Sequence, residues 1–191
     1  MTDKDIFAER GRSLEDDYFR KKDRELIDKM KQAAQADQSR RELGERSGLK
    51  DPDLLKDLQD LGFTPDTLAL LPLVPVIQMA WAEGGITAAE RTLILDLARQ
   101  RGIASGTAAG RQLEEWMNTR PDASVFARAT RLIRAMLDSG HDSGIMSADE
   151  VVKQAENIAY ASGGILGLAR VSQEEKAILA SLASALKSRK S

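Results

Sequence analysis

Cysteine is absent from the 191 residues, which removes disulfides, thiolate nucleophiles and thiolate metal sites from consideration. Histidine occurs once, at His141, so nucleophilic triads of the Ser-His or Cys-His kind have almost no material. Aromatic residues make up only 4% of the chain against a hydrophobic fraction of 42%, so a packed core has to be aliphatic. An excess of one charge is missing too: 28 Lys and Arg stand against 30 Asp and Glu. Without a long-range positive field, neither nucleic acid nor an anionic membrane is an expected partner. No window approaches the ~18 consecutive apolar residues of a membrane span, so no integral membrane segment is expected. The opening MTDKDIFAER has no apolar run of the signal-peptide kind, and its acidic residues argue against a mitochondrial transit peptide. The expectation is a cytoplasmic protein, most simply a bacterial one.

What is present divides into two materials. The first 50 residues carry 13 basic and 12 acidic side chains and few large apolar ones, too few to exclude water by themselves. From Asp3 to Ala36 there is no proline, and only Gly11 interrupts a helix-favouring composition. A helix is therefore expected over residues 1–36. The following QADQSRRELGERSGLKDP loses apolar periodicity and gains Gly44, Gly48 and Pro52. It reads as a polar linker over 37–52, with room for a short helical piece.

The rest of the chain, 53–191, reads as a helical bundle. Thr64-Pro65-Asp66 has the form of an N-cap followed by proline at the first helical position. Capping boxes are spelled by Thr87 with Glu90, Ser147 with Glu150, and Ser172 with Glu175. Asp122 or Thr119 starts another helix around Pro121, and Thr107 a shorter one. No segment alternates with period two, so no sheet is expected, and the fold class is all-α with about six or seven helices after Pro52. An internal repeat relates MAWAEGGITAAERTLILDLA to IAYASGGILGLARVSQEEKAILASLA. It pairs Trp81 with Tyr160, Gly84-Gly85 with Gly163-Gly164, Ile86-Thr87 with Val171-Ser172 and Glu90 with Glu175. Each copy is a helix, a glycine turn, a capping box and a second helix, so two pseudo-repeated hairpins are expected to bury the core together.

Chemical sites are scarce. Glu83 and Glu90 flank the first glycine turn and are the candidate metal ligands. The second copy has Ser162 in place of Glu83, and Glu90 is already used by its capping box, which leaves a hard cation too few oxygens. DSGHDSGIMSADE, which holds His141 between Asp138 and Asp142, fails as a calcium loop because Gly140 occupies a ligand position and Ser143 the glycine position. ASGGILGLAR lacks the Gly-Lys-Ser/Thr ending of a phosphate-binding loop. No enzyme, no cofactor and no metal site is expected.

The first helix is more promising. On a helical wheel with Tyr18 at zero, Phe7 and Leu14 fall at about 340° and 320°, Leu26 at about 80°, Phe19 at about 100°, Met30 at about 120°, and Ile27 at about 180°. Asp16 with Arg20, Asp17 with Lys21, and Glu25 with Lys29 have the favourable acid-first i,i+4 order. Glu15, at about 60° and inside the apolar stripe, has no such partner. The apolar positions do not hold a heptad beyond about two turns, which argues against a coiled coil. The pattern fits a helix that meets another surface, either another protein's or the chain's own bundle.

Phe7, Arg10, Glu15, Tyr18-Phe19-Arg20, Arg24-Glu25, Ile27, Met30 and Lys31 together resemble the inhibitory helix of the F-type ATP synthase inhibitor proteins. That resemblance implies a helix that enters between catalytic and non-catalytic subunits of the ATPase head and blocks rotation in the hydrolytic direction. The contact residues it implies are Glu15, Tyr18, Phe19, Ile27 and Met30; with Arg20 and Leu26 from the same helix they make up the candidate partner-binding residues. The chain departs from the family in Gly11, where a charged residue is usual, and lacks histidines in the helix, so the pH response of the mitochondrial members is not implied. Residues 66–186, notably LPLVPVIQMAWAEGGITAAERTLIL, resemble the TerB-like domain of tellurite-resistance proteins, with Glu83 in place of the family's aspartate. This second resemblance implies a compact helical bundle with a role in stress response or scaffolding.

Overall fold

The computed structural model describes residues 3–140, 147–162 and 171–187, with side chains from Tyr18 onward except that of Ser162. Among these residues there is only helix, turn and loop: the fold is all-α, a long N-terminal helix followed by a helical bundle. The elements are α1 (Asp3–Ser47), α2 (Pro52–Asp60), a 3₁₀ helix (Leu68–Leu73), α3 (Val74–Ala80), α4 (Ala88–Gln100), α5 (Ala108–Asn118), α6 (Ala123–Ser139), α7 (Ala148–Ser162) and α8 (Gln173–Lys187). They form two units, residues 1–41 and 42–191.

The first unit consists of α1 alone, whose backbone runs through Gly11 without a break. The polar linker expected over 37–52 is largely helical instead: α1 continues to Ser47, and its last turn belongs to the second unit. The reason lies in side chains that the polar composition conceals. Leu43 and Ser47 are fully buried, as is most of Leu49. Gly44 lies inside the helix and lets the chain pass close to it: a Cβ there would lie 3.3 Å from the Leu49 carbonyl oxygen and 3.5 Å from Leu55. The helix ends at Gly48, whose φ of 71° few other residues adopt.

The core of the second unit is aliphatic. Leu58, Leu70, Leu71, Leu73, Ile77, Ile94, Leu113, Leu132 and Ile133 are essentially inaccessible, and Phe63 and Phe126 are the aromatic members of the buried set. Each such side chain contributes about 1.5–3 kcal/mol by leaving water. The helix starts are set by local chemistry. Asp51 accepts from the amide of Asp53 at 2.8 Å to cap α2, Thr107 from Gly110 at 3.0 Å to cap α5, and Asp122 from Ser124 at 2.8 Å to cap α6. Of the two candidates around Pro121, Asp122 is therefore the cap and Thr119 closes the preceding helix.

Thr64-Pro65-Asp66 does not open an α-helix. Thr67 donates back to the Thr64 carbonyl in a turn, and the chain enters the 3₁₀ helix. Pro72 and Pro75 explain the outcome, since prolines this close together withhold the amides a longer α-helix would need. Helices α3 and α4 form one hairpin and α7 and α8 the other, with α3 packed on α7. A salt-bridged contact ties α2 to α6: Arg128 reaches an Asp57 carboxylate oxygen at 3.0 Å, and Arg131 contacts the other.

Candidate partner-binding helix

Among residues 18–38 of α1 every side chain is exposed. Solvated charged residues explain most of that, but the exposed set includes the largest apolar groups of the segment. Tyr18 is 58% exposed, Phe19 60%, Leu26 59%, Ile27 50% and Met30 65%. Exposure of single hydrophobic residues is ordinary, whereas a contiguous patch of them marks an interaction surface. Because i, i+3 and i+4 positions share a helix face, Phe19, Leu26, Ile27 and Met30 make such a patch along about three turns.

Two contacts order its N-terminal edge. The rings of Tyr18 and Phe19 meet edge to face at 5.9 Å between centroids, with an interplanar angle of 71°. The Lys22 ammonium lies 5.7 Å from the centre of the Tyr18 ring, which holds it by cation–π attraction. Arg20 is on the same helix, exposed, toward the edge of the patch beyond Ile27. Glu15 belongs to α1, but its side chain, with those of Phe7, Arg10, Asp16 and Asp17, lies outside the described residues. The acid-first spacing of Glu25 and Lys29 does not close into an ion pair, in keeping with the small worth of exposed pairs.

One residue outside the sequence-derived set belongs to this surface. Asp23 lies at about 140° on the wheel, between Met30 at about 120° and Ile27 at about 180°. It is exposed, and its side chain forms no ion pair or hydrogen bond among the described residues. Its angular position was the available signal.

The second candidate, the first glycine turn, leads into the capping box of α4. Gly84, at φ 87°, turns the chain between α3 and α4. Glu90 is buried, and one of its carboxylate oxygens accepts from the Thr87 amide and from the Thr87 hydroxyl, each at 2.7 Å. The Glu90 amide in turn donates to the Thr87 hydroxyl oxygen at 3.3 Å. Burial raises the Glu90 carboxyl above its ordinary range; the Thr87 bonds pull it back, and the negative charges of Glu175 and Glu83 push it further up. Glu175 is buried in the same arrangement: its carboxylate accepts from the Ser172 amide at 2.6 Å, and its backbone amide donates to the Ser172 hydroxyl oxygen at 3.2 Å. Glu150 repeats it on Ser147 at the surface, at 2.8 and 3.2 Å. Glu83 is exposed. Among the described residues no three acidic or imidazole groups gather as a metal site would require. His141, Gly163 and Gly164 lie outside the described residues, as does the rest of 141–146 and 163–170.

No protein-family model matches the chain, and no curated protein or solved structure matches it either.

Proposed function

We propose that this chain is a regulatory protein, not an enzyme, whose helix α1 binds the catalytic head of the F-type ATP synthase and inhibits ATP hydrolysis. The observation that carries the reading is the exposure of Tyr18, Phe19, Leu26, Ile27 and Met30 on one unbroken helix. Tyr18, Phe19, Ile27 and Met30 are among the positions through which the chain resembles the inhibitory helix of the ATP synthase inhibitor proteins, and Leu26 lies on the same face. The energetics are adequate. Burying four large apolar side chains contributes about 6–12 kcal/mol at roughly 1.5–3 each. Because α1 is already helical, less of that is lost to ordering the segment. A micromolar complex needs about 8 kcal/mol net of the costs of association.

In this reading α1 acts as a wedge. It enters between catalytic and non-catalytic subunits, and the Tyr18–Phe19 pair anchors it against the rotation that hydrolysis requires. The bundle anchors or senses, and the protein works in the cytoplasm. The experiment is binding of the full chain to immobilised ATPase head during ATP turnover. The native chain is expected to bind at micromolar concentration or below, and the Tyr18→Ala/Phe19→Ala variant to bind at least about tenfold more weakly. Equal binding by the two would remove α1 from the interface.

A second reading draws on the packing of the α3–α4 hairpin against α7 and α8. That arrangement supports a TerB-like stress-response scaffold whose N-terminal helix binds some other protein. Absence of binding to the head by a folded native chain would favour it.

A further inference from the structure

The exposed face of α1 carries one contradiction. Asp23 has Phe19 one turn before it and Ile27 one turn after it, with Leu26 and Met30 on the same face at i+3 and i+7. All four of those neighbours are apolar and at least half exposed. On the wheel Asp23 falls between Leu26, Phe19 and Met30 on one side and Ile27 on the other. A cleft that covers both Leu26 and Ile27 therefore also covers Asp23.

Covering a carboxylate with apolar surface alone would cancel what its neighbours gain, because an ionised group taken out of water without a partner loses more than any one of those side chains returns. The helix supplies no internal remedy. Arg20 stands at i−3 and Arg24 next in sequence, yet neither pairs with Asp23, and its carboxylate has no hydrogen-bond partner among the described residues. Asp28, at about 280°, points away from the patch and can remain in water, and Glu25, at about 340°, lies about 100° from Leu26, outside the arc from Leu26 to Ile27 that encloses Asp23.

We infer that Asp23 is a specificity-determining residue: the partner's groove is apolar on its floor and presents one cationic side chain, a guanidinium or ammonium group, at the position that meets Asp23 between Phe19 and Ile27. The apolar residues then provide affinity, and the charge pair selects the groove. A groove of the same shape without the cation is rejected because it would strand the carboxylate. A guanidinium suits the role best, since it can bind both carboxylate oxygens at once.

This inference rests on the reading of α1 as the inhibitory helix, and the test separates the two. Inhibition of ATP hydrolysis by the purified ATPase head is titrated with full-length native chain and with the variants Asp23→Leu, Asp23→Asn, Asp23→Glu and Tyr18→Ala/Phe19→Ala. Circular dichroism and thermal unfolding verify that each variant folds. Native chain is expected to inhibit, and Asp23→Leu and Asp23→Asn to raise the half-inhibitory concentration at least about tenfold, because each leaves the groove's cation unpaired. Asp23→Glu, which keeps the charge, is expected to recover most of the loss. Undiminished or improved inhibition by Asp23→Leu, with Tyr18→Ala/Phe19→Ala inactive, would overturn the cationic groove and leave the inhibitory reading intact. No inhibition by native chain would overturn both.

Discussion

The indole Nε1 of Trp81 donates to the backbone carbonyl of Trp116 at 2.9 Å, and so joins the end of α3 to the end of α5. Trp116 in turn meets Phe63 edge to face at 6.0 Å between centroids. Tyr160, the counterpart of Trp81 in the second hairpin, is exposed. The repeat thus preserves an aromatic position while only the first copy uses it for packing. Trp81→Phe keeps most of the apolar contact and removes the donor. It is expected to lower stability by about 1–2 kcal/mol, as a part-buried carbonyl loses its partner, whereas Tyr160→Ala should change stability by less than about 0.5 kcal/mol. Urea unfolding of the two variants checks the contrast.

The capping-box glutamates should respond to pH with opposite sign. Burial raises the Glu90 carboxyl from its ordinary 4.5, so the folded state holds that proton more tightly than the unfolded chain does. The stability this group provides is fullest below about 4.5 and falls as pH rises through the raised folded value. Glu150 is lowered from the same ordinary value by its bonds from Ser147; its contribution is present above about 4.5 and is lost as pH falls through the folded value. Relative to native protein, Glu90→Gln should flatten the first trend and Glu150→Gln the second. Denaturant midpoints measured from about pH 3 to about pH 7, a range that brackets the ordinary carboxyl value, give the comparison.

These boxes also show what was legible in the sequence. A Ser or Thr three residues before a Glu is a purely local signal, and all three pairs fold as spelled. The all-α class was legible for the same kind of reason. The end of α1 was not. Gly44 reads as a breaker, but here it lets α1 approach Leu49 and Leu55, a tertiary reason that no local pattern contains. The 3₁₀ helix was concealed by a cap-like Thr-Pro-Asp, because the prolines that decide the outcome come later. In the exposed face of α1, the large apolar residues are visible from their spacing, while Asp23 is one of many charges in the segment and only its angular position sets it apart.

The contact between α2 and α6 rests on a carboxylate that is mostly covered. The Asp57 side chain is 18% exposed, and it receives Arg128 and Arg131 from α6. Removing it leaves Arg128 with the Asp57 carbonyl at 3.4 Å and the more distant Asp60 carboxylate at 3.9 Å, and takes from Arg131 its Asp57 carboxylate contact. Asp57→Ala is expected to destabilise the fold by about 1.5–3 kcal/mol, in the range of a charge-assisted bond. A double-mutant cycle with Arg128→Ala should return a coupling of at least about 0.5 kcal/mol. Additive losses would mean that the pair acts independently.

Substitutions on the exposed face of α1 should spare the fold. Phe19→Ala and Met30→Ala remove side chains that are at least 60% exposed, so each is expected to change the unfolding free energy by less than about 0.5 kcal/mol. Leu58→Ala, by contrast, empties a fully buried position and should cost about 2–5 kcal/mol. Thermal unfolding of the three variants side by side checks both statements.

The central claim is tested most directly by the rate of ATP hydrolysis of the purified F-type ATPase head of the organism that encodes this chain. Full-length native protein should reduce that rate in a saturable manner, and folded Tyr18→Ala/Phe19→Ala protein at the same concentrations should leave it close to that of the head alone. A native protein that is folded and yet leaves hydrolysis unchanged at saturating concentration would contradict the account.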